Sequence, residues 1–156
     1  MSYIEIFLGR DLKSRIGNFY LGRNENVLHH KFLMGAFTDL EVWKKARVLR
    51  NNIAELVKSF PNDEKYRLTE QIVRSSRSIG NNIVEGHGRF HYIDASKFLV
   101  TARGSAAETI DHLIIAFDNK FIDEQTSQTL KQDCEACMRM KNGYIAYLRK
   151  QARTGD

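Results

Sequence analysis

Proline is almost missing from this 156-residue chain; Pro61 is the only one. An interior proline removes a backbone hydrogen bond and clashes with the preceding turn, so a chain this poor in it is free to build long helices. Cysteine is equally scarce, with only Cys134 and Cys137. Two cysteines exclude a disulfide-dense secreted scaffold. As a lone C-x-x-C they also lack the further ligands of a zinc site and the preceding strand of a redox motif. They lie in "LKQDCEACMRMKNGY", among helix formers, where residues three apart share a face. Reduced thiols packed in a core are the expected outcome.

Long apolar runs are absent too, and none approaches the ~18 residues that cross a bilayer. The opening "MSYIEIFLGRDLK" carries Glu5 early and is broken by Gly9 and Arg10. It therefore lacks the basic start and unbroken apolar stretch of a secretory leader. A cytoplasmic location without a membrane partner is expected. The phosphate-binding signatures are missing as well: there is no Walker motif, dinucleotide fingerprint or HExxH pair.

What is present is an ordinary globular composition, 42% hydrophobic and 28% charged, at a length typical of one domain. The formal net charge is +5. That bias suits nucleic acid or an acidic protein partner without selecting between them.

Residues 1–36 hold no persistent period. "YIEIFL" alternates like a strand, but Gly9, Gly17, Gly22 and Gly35 interrupt and no partner strand follows. An irregular or disordered extension is expected there, and a chain starting at Met34 is expected to keep its helical content.

From Phe37 the period becomes 3.6. Thr38 and Glu41 have the spacing of a capping box, and Trp43, Ala46, Leu49, Ile53, Leu56 or Val57, and Phe60 form an apolar stripe. Lys44, Lys45, Arg47 and Arg50 fall mostly off it, and Pro61 ends the segment.

The next segment contains "RSSRSIGNNIVEGHGR", which could be a glycine loop or a helix tolerant of glycine. The spacing of Leu68, Ile72, Ser75, Ser76, Ile79, Ile83 and Gly86 decides for the helix, because all fall on one side at 100° per residue. The stretch follows a helix rather than a strand, so the context of a dinucleotide loop is missing. Gly86 and Gly88 stand where a C-terminal cap wants glycine. On the opposite side run Arg67, Glu70, Arg74, Arg77, Asn81 and Glu85. Such a row is either a solvated face, or a subunit or ligand surface exploiting the fixed fork of arginine.

A third helix spans about Asp94 to Asn119, with Phe98, Leu99, Ala102, Ala106, Thr109, Ile110, Leu113 and Phe117 on its buried side. Gly104 to Ala107 in its middle would let another backbone approach. The fourth begins near Asp123 and runs through Leu130, Cys134, Cys137, Met138 or Lys141, Tyr144 or Ile145, and Leu148. Four amphipathic helices on short turns define an all-α, antiparallel up-down-up-down bundle over 37–152, with a tail at 153–156.

Catalytic constellations are not evident. Glu85, His87 and His91 are close in sequence, but Gly86 and Gly88 break their common face, so no metal and no cofactor is expected. His112 reads as a rim residue. Ser75, Ser76 and Ser78 have no neighbouring His–Asp pair and read as small residues at a helix contact.

Three segments, "FTDLEVWKKARVL", "FPNDEKYRLTEQIVRSSRSIGNNIVEGHGR" and "KFLVTARGSAAETIDHL", resemble the four-helix-bundle family that includes the 23S rRNA intervening-sequence proteins. The resemblance covers roughly residues 37–150. It extends to accessory proteins of diversity-generating retroelements, basic pentameric rings that associate with a reverse transcriptase and its RNA. It implies a homopentamer without catalysis that works on RNA or an RNA–protein complex; the alternative is an adaptor ring docking a nucleic-acid enzyme.

The family signature falls on Trp43, Phe60, Pro61, Arg74, Ser78, Asn82, Glu85, Gly86, Gly88, Arg89, Phe98, Gly104, Ser105 and Glu108, among others. The chain departs from the family at Arg67, often glycine, Gly80, often proline, and Val84, often alanine. Stripe and signature together give Arg67, Arg74, Arg77, Arg89 and Arg103 as expected nucleic-acid or partner contacts. Asn81, Asn82, Glu85, Gly104, Ser105 and Glu108 are the expected interface or structural positions.

Overall fold

A computed structural model describes residues 36–89 and 91–154, with side chains as far as 139 and at Ile145. The extension expected over 1–36 thus falls almost wholly outside the described residues. Four long helices account for the rest: α1 (Glu41–Leu56), α2 (Glu70–His87), α3 (Tyr92–Asp118) and α4 (Glu124–Thr154). Among the described residues there is no strand.

The capping box expected at Thr38 and Glu41 does not form. A 3-10 turn, Phe37–Asp39, moves the helix start to Leu40, whose side chain has nothing to cap with. Glu41 instead pairs with Lys44 at 2.7 Å. The turn is held by aromatic packing, with the Phe37 ring edge-on to Trp43 at 5.2 Å between centroids. α1 then buries Val42, Ala46, Leu49 and Ile53 at the three- and four-residue spacing of one helix face.

A 3-10 turn, Val57–Ser59, follows, and Pro61 keeps the chain extended before the second helical stretch. That stretch starts with another 3-10 turn, Asn62–Glu64, and a π-helical turn, Lys65–Thr69. Arg67 leaves helical dihedrals there, at φ −112 and ψ −105. The Glu64 carboxylate accepts the Leu68 N–H and steadies the turn.

α2 buries the stripe read from the sequence, from Ile72 through Ser75, Ser76, Ile79 and Ile83 to Gly86, with Leu68 just before it. Of the two glycines expected at the helix end, Gly88 is the C-cap and Gly86 is not. Gly88 terminates the helix at φ −75, which any residue adopts, and Gly86 is interior. A Cβ at Gly86 would lie 3.1 Å from the Ala95 carbonyl oxygen and 3.3 Å from the Phe98 Cβ. Glycine is there because α3 crosses too close for a side chain.

α2 and α3 are laced by hydroxyls. Ser105 Oγ lies 2.9 Å from Ser78 Oγ, and Thr109 Oγ1 lies 2.9 Å from Ser75 Oγ. Asn82 Nδ2 donates to the Ser78 carbonyl and hydroxyl. These bonds fix the antiparallel register, so α2 and α3 positions whose numbers add to 183 or 184 lie level. α3 buries Leu99, Ala102, Ala106, Thr109 and Leu113 as expected, but Ala116 takes the place assigned to Phe117. Phe117 is 41% exposed, because over 27 residues the buried line drifts around a straight helix.

The turn into α4 places Lys120 at φ 60, in the left-handed region, while Phe121 N–H bonds back to the Ala116 carbonyl. This is a glycine-type helix cap carried by a lysine. Phe121 packs against Phe60, closing this end of the bundle. Asp123 then caps α4 by accepting the Thr126 N–H at 2.7 Å. Cys134 and Cys137 are fully buried in the common core and form no disulfide. Helix contacts follow the order α1, α2, α3, α4 and back to α1, so α1 and α3 occupy opposite corners.

Candidate functional site

The arginine row predicted on α2 is outward. Arg67, Glu70, Arg74, Arg77, Asn81 and Glu85 are all exposed, as the helical period requires once Ile72, Ile79 and Ile83 face the core. Its local partners are weak surface contacts. Arg67 is 3.7 Å from Glu64, and Arg74 donates to Gln71 at 2.8 Å. Arg89, just beyond α2, pairs with Glu85 and lies 4.6 Å over the Phe98 ring. That arrangement ties Arg89 to the turn between α2 and α3. Arg103 is exposed on α3 and joins none of these groups.

Two of the expected interface residues serve the chain itself. Ser105 bonds across the α2–α3 seam, and Asn82 bonds back to Ser78. Both were drawn inward by the hydroxyl ladder, whose cross-helix pairing is invisible in a single helical period. Gly104, Glu108 and Asn81 are exposed, as an interface would need. A Cβ at Gly104 would meet nothing within 4 Å, and the same holds for Gly80 although that glycine is buried.

The denser cationic face belongs to α1. Lys44, Lys45, Arg47 and Arg50 fall within two turns on its outward side, with the Arg47 guanidinium 5.9 Å from the Trp43 ring centre. Among the described residues Lys45, Arg47 and Arg50 have no acidic side chain at ion-pair distance, whereas Lys44 has Glu41. The sequence showed these residues as off-stripe positions; their lack of acidic neighbours is the signal that marks them.

A second missed feature lies on α3. Ile93, Val100 and Ile114 are exposed at 61%, 46% and 40%, with exposed Ala107 completing a strict seven-residue spacing. Reading one buried stripe per helix hid this second one, which the spacing alone could have revealed.

Nothing among the described residues resembles a metal centre: no three His, Cys, Asp or Glu side chains converge. Glu85, His87 and His91 form no such group. His112, read as a rim residue, keeps only 14% of its side chain exposed, with Nε2 3.7 Å from Glu108. Ser75 and Ser78 are bound into the helix seam. Among the described residues no helix is long and apolar enough to cross a membrane.

These features define a class: an all-α four-helix bundle whose chemistry-bearing side chains lie on its outer faces. Within that class the chain belongs to the 23S rRNA-intervening sequence protein family, whose model matches residues 38–143. It is similar to a crystal structure of a protein of unknown function from the S23 ribosomal protein family of Bacteroides thetaiotaomicron. The two share 26% identity and a TM-score of 0.63 over 67% of this chain and 97% of that one. The comparison with curated proteins gave no match.

Proposed function

We propose that the chain is a non-enzymatic, self-associating helical bundle of the cytoplasm that binds structured RNA through basic surface. The observation that carries the reading is the outer surface of α1, where Lys44, Lys45, Arg47 and the half-buried Arg50 fall within seven residues and only Lys44 has an acidic partner. A polyanion favours such a face over the α2 row, which mixes Arg67, Arg74 and Arg77 with Glu70 and Glu85. Cations of this kind neutralise backbone phosphates and release condensed counterions. Paired RNA hides its base edges in a deep, narrow groove, so recognition falls to phosphate spacing and shape. Affinity is therefore salt-dependent and tolerant of sequence. The family's name, which ties it to intervening sequences of 23S rRNA, agrees with an RNA partner. Several copies, five by the resemblance, would multiply a weak contact into useful avidity.

Titration of a labelled RNA hairpin at several salt concentrations tests the reading. Changing Lys44, Lys45, Arg47 and Arg50 to Gln lowers affinity and flattens the salt dependence by roughly one unit per lost phosphate contact. An unmodified protein that leaves the hairpin free at low salt would overturn it.

A further inference from the structure

We propose that Asn51 and Asn52, on the outer surface of α1, read the ribose 2′-hydroxyls of an A-form RNA helix. The inference rests on the proposed function. It takes the RNA held by the cations of α1 as given and names the residues that tell that RNA from DNA.

The first observation is local. Asparagine is a weak helix former, because its amide competes for nearby backbone groups. Asn51 and Asn52 nevertheless stand side by side in the interior of α1, and both are exposed. Other asparagines of the bundle turn their amides back on their own helix. Asn82 donates to the Ser78 carbonyl and Asn119 to the Ile115 carbonyl, each four residues earlier. Among the described residues neither Asn51 nor Asn52 has a hydrogen-bond partner. Asn81 on α2 is likewise exposed, but it stands singly in a row of mixed charge. The tandem pair weakens α1 and makes no contact within the chain, and such a local cost is expected where a ligand uses the residues.

The second observation is placement. Seven residues make nearly two helical turns, so Asn51 lies about 20° around α1 from Lys44, and Asn52 about 20° from Lys45. Each amide is about 10 Å further along the helix than its cation. Arg47 stands one turn before Asn51, and the exposed Val48 one turn before Asn52. Both rows thus run in the same order, cation first and amide second. Beyond them Glu55 is exposed and tied to Lys58 at 2.7 Å, so the unopposed positive charge ends where the amides begin.

Chemistry then selects the ligand. The lysines and Arg47 take backbone phosphates. Next to the phosphates of an A-form helix lie the 2′-hydroxyls, displayed in a wide, shallow minor groove that a helix surface can reach. A hydroxyl both donates and accepts, and a side-chain amide does the same. DNA presents a C–H at that place and leaves the amides without partners. Val48, between the two rows, supplies an apolar contact for the sugar ring. Reading sugars rather than bases keeps the binding tolerant of sequence.

One hairpin sequence, made as RNA, as 2′-fluoro RNA and as DNA, tests the assignment. The 2′-fluoro stem keeps A-form shape without the hydroxyls, so it separates shape from hydrogen bonding. The unmodified protein should bind the RNA hairpin about tenfold tighter than the 2′-fluoro one, as two net hydrogen bonds imply. The variant with Asn51→Ala and Asn52→Ala should bind both equally, at the lower of the two affinities. Its salt dependence should be unchanged, because no cation is lost. Its affinity for the DNA hairpin should also be unchanged. Alanine is the better helix former, so the variant should melt no earlier than the unmodified protein.

Equal affinity of the unmodified protein for the RNA and 2′-fluoro hairpins would leave RNA binding standing and overturn the reading of hydroxyls. A preference that survives in the double variant would overturn the assignment to these two asparagines. An equal loss of RNA and DNA binding in that variant would make the amides phosphate contacts, and overturn it too. An unmodified protein that leaves all three hairpins free at low salt would remove the proposed function, and this inference with it.

Discussion

The inner and outer sides of the α2–α3 pair are built from the same kinds of residue and behave oppositely. Inside, Gly86 is pressed against the Ala95 carbonyl and Phe98, and Ser75, Ser78, Ser105 and Thr109 are bonded across the seam. Outside, Gly104 has open space where a Cβ would point, and arginines and isoleucines stand in solvent. Small residues therefore mark a close crossing only where another element occupies the space. On the inner side α3 does so; on the outer side the chain alone offers nothing.

The strongest way to break this contrast is at Gly86. Gly86→Leu should destabilise the fold by about 3 kcal/mol, because neither a carbonyl nor a helix backbone can yield to the new side chain. Urea unfolding measures it, and a midpoint equal to that of the unmodified protein would mean that α3 does not cross there. Removing one rung of the hydroxyl ladder costs less. Thr109→Val should lower stability by about 1 kcal/mol, since Ser75 Oγ keeps the Ile72 carbonyl as a partner.

The outer glycine should respond with the opposite sign. Gly104→Ala should raise the stability of the lone bundle by about 0.5–1 kcal/mol, as expected for an exposed helix interior freed of glycine's conformational entropy. Thermal melts at concentrations too low for association check this, and a lowered Tm would show that the outer face is not open. The smallest effect belongs to the outer ion pair of Asp94 and Lys97. The Lys97 ammonium hydrogen-bonds to the Asp94 carboxylate and holds it below its ordinary value of 3.8. A depressed carboxylate stabilises the fold at pH above that ordinary value, and the contribution disappears as pH falls through the folded value. Asp94→Asn should thus melt slightly earlier at neutral pH and match the unmodified protein in strong acid.

The sequence showed the helices because each keeps its core on one line. Ile72, Ile79 and Ile83 required the outward placement of Arg74, Arg77 and Asn81, and the structure follows. Errors arose where a residue had two uses. Glu41 could cap a helix or pair with Lys44, and it pairs. Gly86 could end a helix or admit a neighbour, and it admits one. Phe117 and Ala116 compete for one inward position at the far end of a long helix, where a small phase error decides. On α3 the exposed line at Ile93, Val100, Ala107 and Ile114 was masked by an equally apolar buried line. The sequence also could not show which Ser and Thr would meet across the seam, since that depends on register between helices.

The π-helical turn at Lys65–Thr69 has a consequence for how this chain tolerates change in length. A π turn holds one residue more than an α turn, so everything before it is rotated by about 100° relative to an unbroken helix. Loss of one residue within the turn could be absorbed by reverting to regular α geometry, leaving the frame from Ile72 onward in place. The residues upstream would swing instead, and Tyr66, 77% exposed, would be re-aimed without disturbing the hydroxyl ladder. The bundle thus carries an adjustable joint at one end, where related chains can insert or delete a residue while their core stays in phase.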